Sequence, residues 1–238
     1  MSRYALFISL AINLLGVSLF CLAVSRLGGM KQLWMRWQHR GVPALYHHRI
    51  GHFEALPVQK GAVIFLGDSQ TEQAEWHELA DVSGMQVLNR GISGDHIQGV
   101  RNRIEEILRH EPAYIFLQIG INDLLAGTAP VQAVLALEQL IEVIQRRHPS
   151  GRLVVLGLPP VNSRVRVLST NNEVITAFNQ GLQRVAAQKN VPFLELYAPL
   201  SDGHGQLSMA FTEDGIHLNG SGYRVWRWVL DPWLPKMQ

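Results

Sequence analysis

Two short blocks carry the residues best suited to chemistry. Gly67-Asp68-Ser69 follows an apolar run, and Asp214-Gly215-Ile216-His217 lies close to the C-terminus. A serine hydroxyl is a poor nucleophile until a neighbouring base takes its proton. An imidazole, with an ordinary pKa near ~6.5, suits that task at neutral pH, and His217 offers one. Asp214 stands three residues earlier with a glycine between, so a loop there can fold back to accept the imidazole N–H and set its tautomer. Ser69, Asp214 and His217 form the candidate catalytic set, and the chemistry is ester hydrolysis or acyl transfer. Charge developing on the substrate carbonyl needs donors. The candidates for this oxyanion hole are the Ser69 backbone N–H, the Gly94 N–H, which no side chain shields, and the Asn122 amide. Taken singly, each feature also reads as a turn or a helix cap. All of them together, in order, make coincidence a poor explanation.

These groups need a frame that brings them together. Residues 62–66 form a short, fully apolar run, as expected of a strand buried on both faces. Further strands are expected over 85–88, 114–119, 153–156 and 191–196. Helical stripes lie between them: Val100, Ile104, Ile107 and Leu108; Val134, Leu137, Ile141 and Ile144; Val174, Phe178, Leu182 and Val185. A last helix is expected from near Gly222 toward Leu230. Strands alternating with helices predict an α/β fold with a parallel sheet covered on both faces. Active sites in such sheets gather at the carboxyl ends of the strands. Ser69, Gly94 and Asn122 each follow one of the first three strands.

Four blocks then carry a resemblance. They read Ile64-Phe65-Leu66-Gly67-Asp68-Ser69-Gln70-Thr71, Asn89-Arg90-Gly91-Ile92-Ser93-Gly94-Asp95, Ile119-Gly120-Ile121-Asn122-Asp123 and Asp214-Gly215-Ile216-His217-Leu218-Asn219. Over about residues 61 to 235 the chain resembles the SGNH subclass of the GDSL esterase/lipase family. The most similar branch in wording includes platelet-activating-factor acetylhydrolase-like proteins and bacterial acyl esterases. The resemblance implies that Ser69 is the nucleophile, that Asp214 and His217 complete the triad, and that Gly94 and Asn122 complete the oxyanion hole. The expected fold is a flavodoxin-like three-layer sandwich around a five-stranded parallel sheet. Gln70 replaces the leucine of the family name and is expected to affect the pocket rim. The Gly-x-Ser-x-Gly elbow of α/β-hydrolases is absent, which excludes that fold.

Composition narrows the alternatives. Hydrophobic residues are 47% and charged residues 17%, enough apolar material for a large core. A net charge of +2 with scattered basic residues gives no nucleic-acid footprint. One cysteine excludes an internal disulfide and a cysteine metal cluster. No cofactor is expected. His39, His47, His48 and His52 match no metal-ligand spacing. Residues 4–24 lack any charged residue or histidine, a length that predicts a transmembrane helix; a cleaved signal ending near Ala23-Val24-Ser25 and a buried soluble helix, which the lack of a polar face disfavours, are the alternatives.

The expected organisation is an anchor over 1–25, a juxtamembrane connector over 26–60 with Trp34 and Trp37 at the interface, and a hydrolase domain over 61–238. The protein would be single-pass. Basic residues after the span favour a cytoplasmic domain, and the family resemblance favours an extracytoplasmic, periplasmic one. The expected partner is a small-molecule, lipid or glycan ester; oligomeric state is not legible. The expected function is a serine esterase acting on acyl or acetyl esters through an acyl-serine. The same triad would also serve an O-acyltransferase or acetyltransferase on envelope glycans. A module binding phosphate or flavin through Ser69 and Thr71 is the non-enzymatic alternative; it leaves Asn122, Asp214 and His217 without a task.

Overall fold

The computed structural model describes residues 3–26, 42–80, 82 and 84–235. The chain divides between Ala44 and Leu45 into two compact units, each described by itself. In the first, helix α1 spans Arg3–Arg26. Among the described residues no helix is long and apolar enough to cross a membrane. A span needs about 20 consecutive apolar residues. Polar Ser9, Asn13 and Ser18 interrupt the apolar residues of α1, with the Asn13 amide bonded to the Ser9 carbonyl. The expected transmembrane anchor and the single-pass membrane localisation are therefore corrected. Lys31, Trp34, Arg36, Trp37, His39 and Arg40 lie outside the described residues.

The second unit is built on five parallel strands. They are β1 (Val63–Gly67), β2 (Val87–Gly91), β3 (Tyr114–Gln118), β4 (Arg152–Leu156) and β5 (Phe193–Leu194), in the order β2-β1-β3-β4-β5. The expected parallel sheet in an α/β sandwich is present. Alternate strand residues feed two cores. Ile64, Leu66, Ile115, Leu117, Leu153 and Val155 face one. Phe65, Phe116, Val154 and Leu156 face the other, where Trp76 stacks on Phe65 at 4.0 Å between ring centroids and Trp226 meets Trp76 edge-on.

Short helices follow the first strands: α3 (Ser69–Glu72) and α4 (Trp76–Leu79) after β1, α5 (Ile97–Asn102) and α6 (Ile104–Leu108) after β2, and α7 (Ile121–Leu125) after β3. Three longer helices pack on the sheet: α8 (Pro130–Arg147), α9 (Asn172–Gln188) and α11 (Gly220–Leu230). A one-turn α10 (Tyr197–Leu200) follows β5. Ahead of β1, α2 (Val42–Ala55) buries Phe53 against the domain.

Two differences from the sequence pattern have physical causes. Strand β2 lies further along than 85–88 and takes in polar Asn89 and Arg90, which pair with Phe65 and Leu66 of β1. They fit a buried ladder because each is satisfied. The Asn89 amide bonds the Thr71, Glu72 and Ala74 carbonyls, and Arg90 pairs with Glu106 at 3.1 Å. The stripe over 100–108 is two short helices instead of one, broken at Arg103, whose guanidinium turns inward to Asp95.

Candidate active site

The carboxyl ends of β1, β2 and β3 lie side by side, with Gly67 beside both Gly91 and Gln118. Sheets of this strand order bind ligands at that edge, at the switch point between β1 and β3 where the order of strand addition reverses. Ser69 opens α3, and the Asp68 carboxylate caps that turn by accepting the Gln70 N–H at 3.0 Å. The cap presents the Ser69 hydroxyl outward from the strand end.

His217 reaches this hydroxyl from the far end of the chain. Its Nε2 is 3.0 Å from Ser69 Oγ across 148 residues of sequence, and its Nδ1 is 2.6 Å from Asp214 Oδ2. The Asp214 carboxylate also accepts the backbone N–H groups of Ile216 and His217. Burial pushes the Asp214 carboxyl up, but these bonds and the imidazole outweigh it and hold the group below its usual range. Arg166, on the 159–171 connection, stands 3.8 Å from the same carboxylate, and the Asn162 N–H donates to the Gly215 carbonyl. That connection therefore borders the site.

The candidate oxyanion donors lie on the neighbouring loops. Ile92 to Asp95 form a turn closed by the Asp95 N–H on the Ile92 carbonyl, with Gly94 at φ +77°, a conformation that favours glycine. Among the described residues no acceptor meets the Gly94 or Ser69 N–H. Asn122 sits in the first turn of α7, and its amide donates to the Asp95 carbonyl at 2.9 Å, which ties β3 to the Gly94 turn and leaves its second N–H to offer.

Several groups around the site have a positioning role that the sequence does not reveal. Gln70 is only 1% exposed and is a clamp, not part of the rim. Its amide donates to the Ile216 carbonyl and accepts from Gln118, while the Tyr223 hydroxyl bonds its carbonyl. Arg103 bonds the Asp95 carboxylate at 2.9 Å and the Gly67 carbonyl at 3.1 Å, so one guanidinium joins the end of β1 to the Gly94 turn. A signal for it exists: Arg103 is a charge in an otherwise apolar stripe, three residues after Val100 and four before Ile107. His96 faces Asp123 at 3.6 Å, and that carboxylate raises the imidazole pKa. Among the described residues no group of histidine, cysteine and carboxylate side chains is arranged to hold a metal.

Asp68 is fully buried, and its Oδ2 has no partner among the described residues. Burial raises its pKa to about 7, with nearby Asp95 and Asp123 adding to the shift against the Gln70 N–H. A carboxyl raised in the folded state binds protons there that the unfolded chain has released. The stability it contributes is complete below the unfolded value near ~4 and is lost as pH rises through about 7. Asp68→Asn keeps the capping oxygen and removes the titration. Its Tm relative to wild type is expected to be higher at pH 8 than at pH 5, and a difference independent of pH would refute the assignment.

The chain is similar to several known proteins. The family model for GDSL-like Lipase/Acylhydrolase matches residues 65–225. The platelet-activating factor acetylhydrolase IB subunit alpha2 of Rattus norvegicus is 30% identical over 169 residues, covering 68% of this chain and 70% of that protein. An N-acylneuraminate cytidylyltransferase of Escherichia coli is 25% identical over 157 residues; the match covers 63% of this chain but only 36% of that protein's length. A Streptococcus pneumonia structure provisionally named a platelet activating factor superposes with a TM-score of 0.71 at 28% identity, over 85% of this chain and 97% of that one. A family match over that span, joined to the Ser69–His217–Asp214 geometry, leads to one conclusion: the chain belongs to the GDSL-like lipase/acylhydrolase family of ester-hydrolysing serine hydrolases.

Proposed function

We propose that Ser69 is the nucleophile of a two-step esterase, with His217 as general base and acid and Asp214 as its orienting carboxylate. The observation that carries this reading is the continuous chain from hydroxyl to imidazole to carboxylate, at 3.0 and 2.6 Å. His217 takes the Ser69 proton as Oγ attacks the ester carbonyl, then gives it to the departing alcohol. The acyl-serine is released by water that the same imidazole deprotonates. The Ser69 and Gly94 N–H groups and the Asn122 amide hold the oxyanion in both steps.

The substrate is an acyl or acetyl ester, a reading supported by the acetylhydrolase named among the relatives. A fluorophosphonate is expected to form one covalent adduct, mapped by peptide mass spectrometry to Ser69. An adduct confined to another residue, or none at all, would reject the assignment.

A further inference from the structure

Helix α2 lies outside the 65–225 family match, yet it is attached to the loop that carries Gly94. Arg49 Nε of α2 is 2.9 Å from Glu72 Oε1, at the end of the nucleophile helix α3. The contact is a charge pair, because the Nε–H is not aligned on the oxygen. The other Glu72 oxygen accepts the Ser93 backbone N–H at 2.7 Å and also the Ser93 hydroxyl. Ser93 immediately precedes Gly94. Two more contacts anchor the same segment: the Tyr46 hydroxyl donates to the Gly99 carbonyl at 2.8 Å, and the Phe53 ring takes the Arg90 guanidinium at 4.6 Å from its centroid. At the end of α2, Arg109 holds the Phe53 and Leu56 carbonyls.

We propose that α2, through the Arg49–Glu72 ion pair, is a positioning element of the oxyanion hole. The idea rests on the reading that the Gly94 N–H stabilises the oxyanion. The Glu72 carboxylate is only 19% exposed, and Arg49 supplies its counter-charge on the side away from Ser93. With that charge gone, the carboxylate turns toward water for solvation and loosens its hold on Ser93. The Gly94 N–H, one peptide further on, then moves off the place where the oxyanion forms. Displacements of about 1 Å at a catalytic donor cost up to roughly a hundredfold in rate. Arg49 touches no reacting atom, so its effect belongs in kcat and not in ground-state binding.

The test is a double-mutant cycle in the full chain, with p-nitrophenyl acetate as substrate and rates read well below each variant's Tm. Arg49→Met is expected to lower kcat about tenfold with KM within about twofold of wild type, and Arg49→Lys to restore most of kcat. In a Glu72→Gln background, Arg49→Met is expected to cost little more, because its partner is already gone. If Arg49→Met does not fold, Arg49→Gln takes its place in the cycle. A wild-type kcat in the folded Arg49 variant, or losses that simply multiply in the double variant, overturns the proposal. An active Ser69→Ala would instead overturn the acyl-serine mechanism on which that reading depends, so the two failures are separable. Lys60→Met, which removes an exposed charge paired with Glu111, is the control expected to keep kcat, and an equal loss there also overturns the proposal.

Discussion

Ser69→Ala is expected to lower kcat/KM for p-nitrophenyl acetate or butyrate by at least about a thousandfold, roughly 4 kcal/mol of transition-state stabilisation. The size follows from the geometry. Oγ is the atom 3.0 Å from His217 Nε2, and removing it deletes the bond-forming group while leaving the donors and the base in place. The fold is expected to survive. Ser69 is a first-turn helix residue whose cap comes from Asp68, and alanine suits that position. The structural cost is about one hydrogen bond, near 1 kcal/mol. Measuring the ester series beside a thermal melt separates chemistry from folding. Activity equal to wild type in a folded Ser69→Ala protein would end the mechanism.

Arg103→Met is expected to produce the largest loss of stability. The Arg103 and Asp95 side chains are each 1% exposed, and the guanidinium also holds the Gly67 carbonyl. Removing one partner of a buried pair strands the other charge, at a cost of about 3–5 kcal/mol. For a chain of this size that corresponds to a fall in Tm of roughly 10 °C. The pH dependence has a definite sign. Burial already raises the Asp95 carboxyl, and Arg103 is the chief influence holding it down. Without Arg103 the carboxyl rises further, so protonation relieves the stranded charge in acid, and the loss is greater at pH 8 than at pH 5. Asp95→Asn combined with Arg103→Met is expected to recover part of the stability, since neither charge of the pair then remains. Calorimetry across pH checks both statements; an Arg103→Met protein melting within about 2 °C of wild type would show that the pair contributes little.

The sheet and the motif-bearing ends of β1 and β3 were legible because apolar runs such as 62–66 and 114–119 report burial locally. The end of β2 was not. Asn89 and Arg90 look like loop residues, and only their partners on Thr71, Glu72, Ala74 and Glu106 make them fit a strand. Gln70 was taken for a rim residue because its position in the motif says nothing of the Ile216 carbonyl and Gln118 amide it meets. The membrane anchor was drawn from a charge-free stretch, and no described helix bears it out.

What the amino-acid sequence determined by itself is the inventory: a serine, an aspartate–histidine pair and glycine and asparagine donors, placed at the ends of locally recognisable elements. Residue type and short-range periodicity suffice for that, because secondary structure responds to neighbours within a few positions. Only the tertiary structure decided the 3.0 Å approach of His217 to Ser69, the Arg103 clamp and the attachment of α2 through Arg49. All but the Arg103–Asp95 bond join segments well apart in the chain, and the geometry of each follows from how the layers pack on the sheet, which no local pattern of residues records.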